Sequence, residues 1–563
     1  MSKKEKVKNQ VMHNFRELVE RYKNFEENIA FKYKQKGKIV NVTYKQFVED
    51  IRALGTAILN LDDVERIAVI GNNRYEWCVS YLATTTAGKV VVPLDKALTD
   101  NEIIRLIKRS GAQAVIYDEK YQNAISKCDL GYAICMDDLI QEGVTRYRHL
   151  LGQGYDLLKR KEDSYDHVTI DNDKMAVMLF TSGTTAEPKA VMLSQNNICS
   201  QVAAITDHVK LYETDTLLSF LPIHHTFECT ITFLYGTYNG TTIAFCEGLK
   251  YIAQNLKDYE VTVFVAVPLV LETMFKKINK GIADSGKKDL IDKMKKISNL
   301  LLKLHIDVRK KLFKPVLKQF DEHLRVVLYG AASMDKSTIL GYNELGIDLV
   351  QGYGLTESSP VITTETDKQK RPGSVGLPLE NIEVKIENPN EEGIGELLAK
   401  GPNIMLGYYE NDTATKETIN EDGWLHTGDY AYIDKDGFVY ITGRKSDVIV
   451  LRNGKNIYPQ EIEFMINKLP YVEESIIYSR NKSKTDTVLC AKIVYNKENI
   501  IEKFGKQKDY KTLVWKDIKE MNQELPTYKH IKEIVVTDEP LEKTTTQKVK
   551  RFVEIKKIEK AQK

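Results

Sequence analysis

The chain of 563 residues reads as an α/β protein, with a large N-terminal domain (1–442) of mostly parallel sheets flanked by helices and a small C-terminal α+β domain (443–563). Three observations predict this. The chain is too long for a single hydrophobic core, so it must divide. Its N-terminal half alternates short apolar runs with helix-like segments, the pattern of βαβ units and a parallel sheet. Beyond Gly443 the order of elements changes to that of a small α+β unit.

In the N-terminal half, Arg66–Gly71 is a predicted strand, Tyr75–Ala87 a helix, Val90–Pro93 a strand, Glu102–Ser110 a helix and Ala114–Tyr117 a strand. Met175–Phe180, Val263–Val267 and Arg325–Tyr329 are apolar runs of strand length that continue the pattern. Residues 276–320 depart from it as a basic helical insertion, with Ile291, Met294, Ile297, Leu301, Leu304 and Val308 recurring every three or four residues. Lys276 to Lys318 holds fourteen Lys or Arg against four Asp, in a chain of net charge +2. Such a patch suits a solvated helical face or contact with an anionic membrane surface. In the C-terminal domain, Asp447–Leu451, Glu474–Tyr478 and Val488–Val494 are predicted strands, and Tyr458–Leu469 and Val514–Glu524 helices. Asn453-Gly454 supplies the positive φ values of a tight hairpin turn.

Composition narrows the function. A net charge of +2 argues against a dedicated nucleic-acid binder. The seven cysteines are scattered and form no Cys-x-x-Cys pair, so neither a disulfide framework nor a zinc site is expected, and a reducing cytoplasm fits. The charged start Met1-Ser2-Lys3-Lys4 precedes no apolar block, so no secretory signal is expected. No run of 18 apolar residues occurs that would span a bilayer.

Thr181-Ser182-Gly183-Thr184-Thr185-Ala186-Glu187-Pro188-Lys189 directly follows an apolar strand. It gathers hydroxyls, backbone N–H groups, a glycine and a cation at one spot, which is what a polyphosphate requires. It is not a Walker A loop, because no glycine precedes Lys189 and no Ser or Thr follows it. Gly330-Ala331-Ala332 also follows a predicted strand, and sites in open α/β sheets collect where strands give way to loops. Three further segments recur downstream in order: Gln351-Gly352-Tyr353-Gly354-Leu355-Thr356-Glu357, Trp424-Leu425-His426-Thr427-Gly428-Asp429 and Gly443-Arg444-Lys445-Ser446-Asp447. The ordered set resembles the adenylate-forming superfamily of acyl-CoA synthetases, luciferases and peptide-synthetase adenylation domains. Within it the chain is most similar to long-chain fatty acid–CoA ligases, and the likeness runs from about residue 40 to the C-terminus.

The resemblance implies a reaction in two halves, with ATP, Mg²⁺ and coenzyme A as cofactors and one cleft between a large domain and a small mobile one. A carboxylate attacks the α-phosphate of ATP to give acyl-adenylate and pyrophosphate; a thiol then attacks the acyl carbon and expels AMP. The attacking carboxylate is already anionic, so the first half needs alignment and charge neutralisation rather than a general base. By the same resemblance, Thr181, Ser182, Gly183, Thr184, Thr185 and Lys189 form the phosphate loop. Thr184 and Glu357 are the Mg²⁺ ligands, and Thr356 touches the α-phosphate. Gln351, Gly352, Tyr353 and Gly354, with the Gly330-Ala331-Ala332 backbone, flank adenine. Asp429 takes the ribose hydroxyls, since a carboxylate accepts two hydrogen bonds from a vicinal diol, and Arg444 adds a second contact. His225, in Leu-Pro-Ile-His-His-Thr-Phe-Glu, flanks the acyl carboxylate. Ser446 is the hinge, Gly454 lies on a hairpin facing coenzyme A, and Lys548 bridges the carboxylate and α-phosphate, with Lys543 and Lys550 as rivals.

The sequence departs from the family pattern at Ala186, where glycine is usual, at Ser446, where aspartate or lysine is usual, and at Gln547, where glycine is usual. These departures leave room for a non-catalytic nucleotide-binding scaffold. No carrier domain follows Lys548, which favours a free-standing ligase using coenzyme A, with an acyl-carrier protein as the alternative acceptor. The expected acid is a medium- or long-chain fatty acid, and the expected location is the cytoplasm, with peripheral contact at the inner membrane face as an option raised by the basic insertion.

Overall fold

The computed structural model describes residues 11–181, 188–317, 323–332, 334–450, 456–481, 487–543 and 549–561. Its contacts divide the chain into two units, Met1–Glu383 with Ala399–Leu425, and Val384–Leu398 with His426–Lys563. The division falls ahead of residue 443 because Leu425–Ile433 and Val439–Arg444 form an antiparallel hairpin within a four-stranded sheet with Glu383–Glu387 and Gly395–Lys400.

Two large sheets build the first unit. In the eight-stranded sheet, Met175–Thr181, Val90–Leu94, Arg66–Ile70, Ala114–Tyr117, Tyr132–Cys135 and Val144–Arg146 run parallel, in that spatial order. These strands are Val- and Ile-rich and mostly buried, as strands covered on both faces must be. The last two strands of the other edge are antiparallel: Lys189–Ser194 pairs with Met175–Thr181, and Gly407–Tyr408 pairs with Lys189–Ser194. The nine-stranded sheet has a parallel centre, Ile29–Gln35, Thr242–Phe245, Thr216–Ser219, Val263–Ala266, Val326–Tyr329 and Asp348–Tyr353. Short antiparallel strands Thr363–Thr364 and Leu377–Pro378 extend it beyond Tyr353.

The predicted insertion is helical, with helices Pro268–Asp284 and Lys288–Lys303 and two single turns at Arg309–Leu312 and Lys314–Leu317. In the second unit, Val472–Asn481, Thr487–Tyr495 and Ile531–Thr537 form a three-stranded sheet. Helices Pro459–Asn467 and Lys511–Asn522 bury Ile462, Ile466, Val514 and Ile518 in one core with Ile477, Leu489, Ala491 and Ile493 of that sheet. Among the described residues, no helix is long and apolar enough to cross a membrane.

Candidate functional site

The two ends of the phosphate-loop segment lie on neighbouring antiparallel strands. Thr181 closes one strand and Lys189 opens the next; the two are register partners, and Thr181 Oγ1 donates to the Lys189 carbonyl at 3.4 Å. Ser182, Gly183, Thr184, Thr185 and Ala186 lie outside the described residues. The Lys189 ammonium sits 4.6 Å from the centre of the Tyr408 ring, a cation–π contact. On the same ring, the Tyr408 hydroxyl donates to Glu357 Oε1 at 2.9 Å. Burial, and then the Glu357 carboxylate beside it, push the phenol above its ordinary value, so it keeps its proton and remains a donor. Backbone bonds hold the arrangement: Met405 N–H donates to the Glu357 carbonyl and Leu406 N–H to the Met192 carbonyl, both at 2.9 Å. A cation and a carboxylate, remote in sequence, therefore meet on one aromatic side chain.

A second cluster gathers the predicted adenine and acyl segments. A Cβ at Gly330 would meet the Gly352 carbonyl at 2.8 Å and the Phe227 ring at 3.5 Å, so these three segments touch. Ala331 holds φ +70°, a left-handed conformation that strains an alanine, and Ala332 is exposed beside it. Gln351 is buried, and its Oε1 accepts from the Tyr329 hydroxyl at 2.8 Å. The Tyr353 carbonyl accepts from Ile362 N–H at 2.8 Å. A Cβ at Gly354 would lie 1.9 Å from the Pro360 carbonyl, so only glycine lets these two strands of backbone pass. Thr356 and Glu357 follow in a single short helical turn, Thr356–Ser358, fixed by the Ser358 hydroxyl accepting from Leu355 N–H at 2.9 Å.

His225 is half-buried, and its Nδ1 accepts from the Phe227 N–H at 3.2 Å, which leaves Nε2 to carry the proton of the neutral ring. Its neighbour His224 is pushed down to about 4 by burial and by Lys96, against the pull of Asp95, whose Oδ2 is 3.6 Å from Nε2. Burial pushes the Glu228 carboxyl up to about 8, against the hydroxyls of Ser219 and Thr232, which donate to it at 2.7 and 2.9 Å. The segment thus carries a neutral His224 and a protonated Glu228 at neutral pH.

Within the second unit, Asp429 and Arg444 are register partners across the hairpin, and Arg444 Nε lies 3.0 Å from Asp429 Oδ1. Sequence reasoning missed the residue that organises this hairpin. Glu396 is buried; its Oε1 accepts from Gly428 N–H at 3.2 Å, and its Oε2 lies 2.7 Å from Lys445 Nζ and 3.4 Å from His426 Nδ1. Burial works to raise this carboxyl, but Lys445 and His426 outweigh it and hold it below its ordinary value. Ser446 Oγ donates to Asp447 Oδ1 at 3.2 Å. Gly454, Gln547 and Lys548 lie outside the described residues; of the rival lysines, Lys543 pairs with Glu474 at 2.7 Å and Lys550 with Glu542 at 3.4 Å. Tyr408 was equally invisible in sequence, because a tyrosine in Leu406-Gly407-Tyr408-Tyr409 carries no spacing signal of its own.

The sequence matches the AMP-binding enzyme family over residues 18–409 and the AMP-binding enzyme C-terminal domain over residues 446–561. It is 27% identical to a chloroplastic long-chain-fatty-acid–[acyl-carrier-protein] ligase of Arabidopsis thaliana, over 92% of this chain and 82% of that protein. It is 28% identical to long-chain-fatty-acid–CoA ligase 6 of Mus musculus, over 75% of this chain and 65% of that protein. The solved structure of an anthranilate CoA ligase in complex with anthranoyl-AMP superimposes with a TM-score of 0.77 at 19% identity, covering 98% of each chain.

Proposed function

The chain belongs to the AMP-binding enzyme family, as an AMP-forming acid–thiol ligase, and on that premise we propose that it activates a medium- or long-chain fatty acid and transfers the acyl group to coenzyme A. The observation that supports this reading best is that Tyr408 meets both groups, its ring the Lys189 ammonium and its hydroxyl the Glu357 carboxylate. It joins a cation suited to phosphate oxygens to a carboxylate suited to a hard metal ion. Glu357, an oxygen donor steadied by the Tyr408 hydroxyl, fits Mg²⁺, with Thr184 as its companion ligand. When bound, the ion supplies neutralisation of phosphate charge.

Around ATP, Lys189 and the hydroxyls of Thr181, Ser182, Thr184 and Thr185 draw the phosphates into line. Thr356 contacts the α-phosphate, while Tyr353, Gln351 and the Gly330–Ala332 backbone enclose the base. Asp429 and Arg444 take the ribose. The acid's carboxylate oxygen forms a bond to the α-phosphorus as the bond to the leaving pyrophosphate breaks, and Lys548 neutralises charge on both reactants. His225, protonated on Nε2, offers a donor to the carboxylate. A thiol then forms the thioester as AMP departs, with Gly454 beside the incoming coenzyme A and Ser446 as the hinge between the two half-reactions.

The names of the relatives support a fatty acid, and one of them uses an acyl-carrier protein. The test is acid-dependent pyrophosphate release over a series from acetate to oleate, with anthranilate included and with coenzyme A or acyl-carrier protein as acceptor. Each methylene buried is worth about 0.8 kcal/mol, so KM falls about fourfold per carbon until the binding tunnel is filled. A maximum at anthranilate assigns the chain to aryl acids instead. Absence of release with every acid makes it a nucleotide-binding scaffold.

A further inference from the structure

The basic insertion carries an apolar stripe in water. One face of helix Lys288–Lys303 is anchored: Ile291 and Ser298 are buried, Lys295 Nζ lies 3.3 Å from Glu344 Oε2, and Asn299 Nδ2 donates to Glu344 Oε1 at 3.3 Å. Beyond the helix, Arg309 Nη1 donates to the Asn343 carbonyl at 2.6 Å. At 100° per residue, Leu290, Ile297, Leu300 and Leu304 fall within about 80° of one another, turned away from the anchored face. These four side chains are between 55 and 64% exposed, and Leu302 and Ile306 add further exposed apolar surface. By the same count the exposed Lys293 falls within the stripe, and the exposed Lys296 and Lys303 fall along one edge of it. Next along the chain, Lys310, Lys311, Lys314 and Leu317 line a cavity of about 250 Å³.

An apolar stripe of this kind marks a contact surface rather than a solvated one. A second copy of the chain is disfavoured as its occupant, because a two-fold contact through the stripe brings the exposed Lys293, Lys296 and Lys303 up against their own copies. An anionic bilayer satisfies both halves of the pattern: leucines enter the acyl boundary and lysines meet the headgroup phosphates. We propose that helix Lys288–Lys303 lies in the plane of an anionic membrane surface and docks the protein there. The contact is interfacial, and it does not depend on which acid the protein activates.

The test is co-sedimentation of the full-length protein with vesicles of phosphatidylcholine alone and of phosphatidylcholine with phosphatidylglycerol, at low and high salt. Anionic vesicles are expected to raise the bound fraction about tenfold or more, and salt to reverse it. The double variant Ile297→Asp, Leu300→Asp is expected to lose binding while keeping its thermal midpoint. Lys293→Gln, Lys296→Gln, Lys303→Gln is expected to lower the salt dependence. Equal binding to both vesicles, or binding to neither, overturns the proposal. So does a wild-type dimer that the aspartate substitutions dissociate, which would give the stripe to a second copy of the chain.

Discussion

Tyr408 stands between the two groups on which the nucleotide chemistry is proposed to rest. Its ring faces the Lys189 ammonium and its hydroxyl meets Glu357, so one side chain sets the distance between a cation and a carboxylate. Tyr408→Phe keeps the ring and deletes only the hydroxyl. A hydrogen bond to a charged group contributes about 1.5–3 kcal/mol, so the KM for MgATP is expected to rise about tenfold or more. The KM for the acid should stay put. Steady-state kinetics with each substrate varied in turn checks this, and an equal rise in both constants would make Tyr408 a general packing residue. Reading residues from sequence could single out a side chain that sits in a stereotyped string, as Glu357 does after Gly-Tyr-Gly-Leu-Thr. It failed for Tyr408 and Glu396, whose importance comes from partners that the fold brings to them.

Among elements, the segment Leu221–Glu228 combines two groups with opposite pH behaviour. Glu228 keeps its proton up to about pH 8 when folded, whereas its ordinary value is 4.5; stability is therefore full below 4.5 and is lost as pH rises towards 8. His224 is depressed from 6.5 to about 4, so its contribution is full above 6.5 and is lost as pH falls towards 4. Glu228→Gln removes the first dependence and keeps the second. The variant's unfolding midpoint, measured relative to wild type, is expected to climb between about pH 5 and about pH 8. A flat difference would show that the carboxyl does not hold its proton. Most strands and helices were legible, because buried strands such as Arg66–Ile70 and Ala114–Tyr117 are continuous apolar runs bounded by turns. Pairing direction was not. The antiparallel pairing of Met175–Thr181 with Lys189–Ser194 is announced by no short Asn-Gly signal, and Glu383–Glu387 is a half-exposed strand whose apolar residues are only Val384 and Ile386.

For the molecule as a whole, the division into two units separates residues proposed for the phosphates and base from those proposed for the ribose and the final lysine. On these proposed roles, loss of the final lysine strikes the first half-reaction alone. Lys548→Ala is expected to abolish acid-dependent pyrophosphate exchange while largely sparing thioester formation from a supplied acyl-adenylate and coenzyme A. Unchanged exchange would transfer the role to Lys543 or Lys550. Two-domain organisation was visible from length and from the change of element order, whereas the unit boundary ahead of residue 443 depends on hairpin packing that no local composition announces.

The Glu396 carboxylate has a mechanical corollary. It holds Lys445, immediately before the proposed hinge at Ser446, and Gly428, immediately before Asp429, through opposite oxygens of one buried group. Any rotation that carries Lys445 away strips a buried anion of its cation, which costs about 1–3 kcal/mol. A swing about the proposed hinge that took Lys445 with it would therefore meet a detent, and the same carboxylate would pass the pull to the strand proposed to grip the sugar.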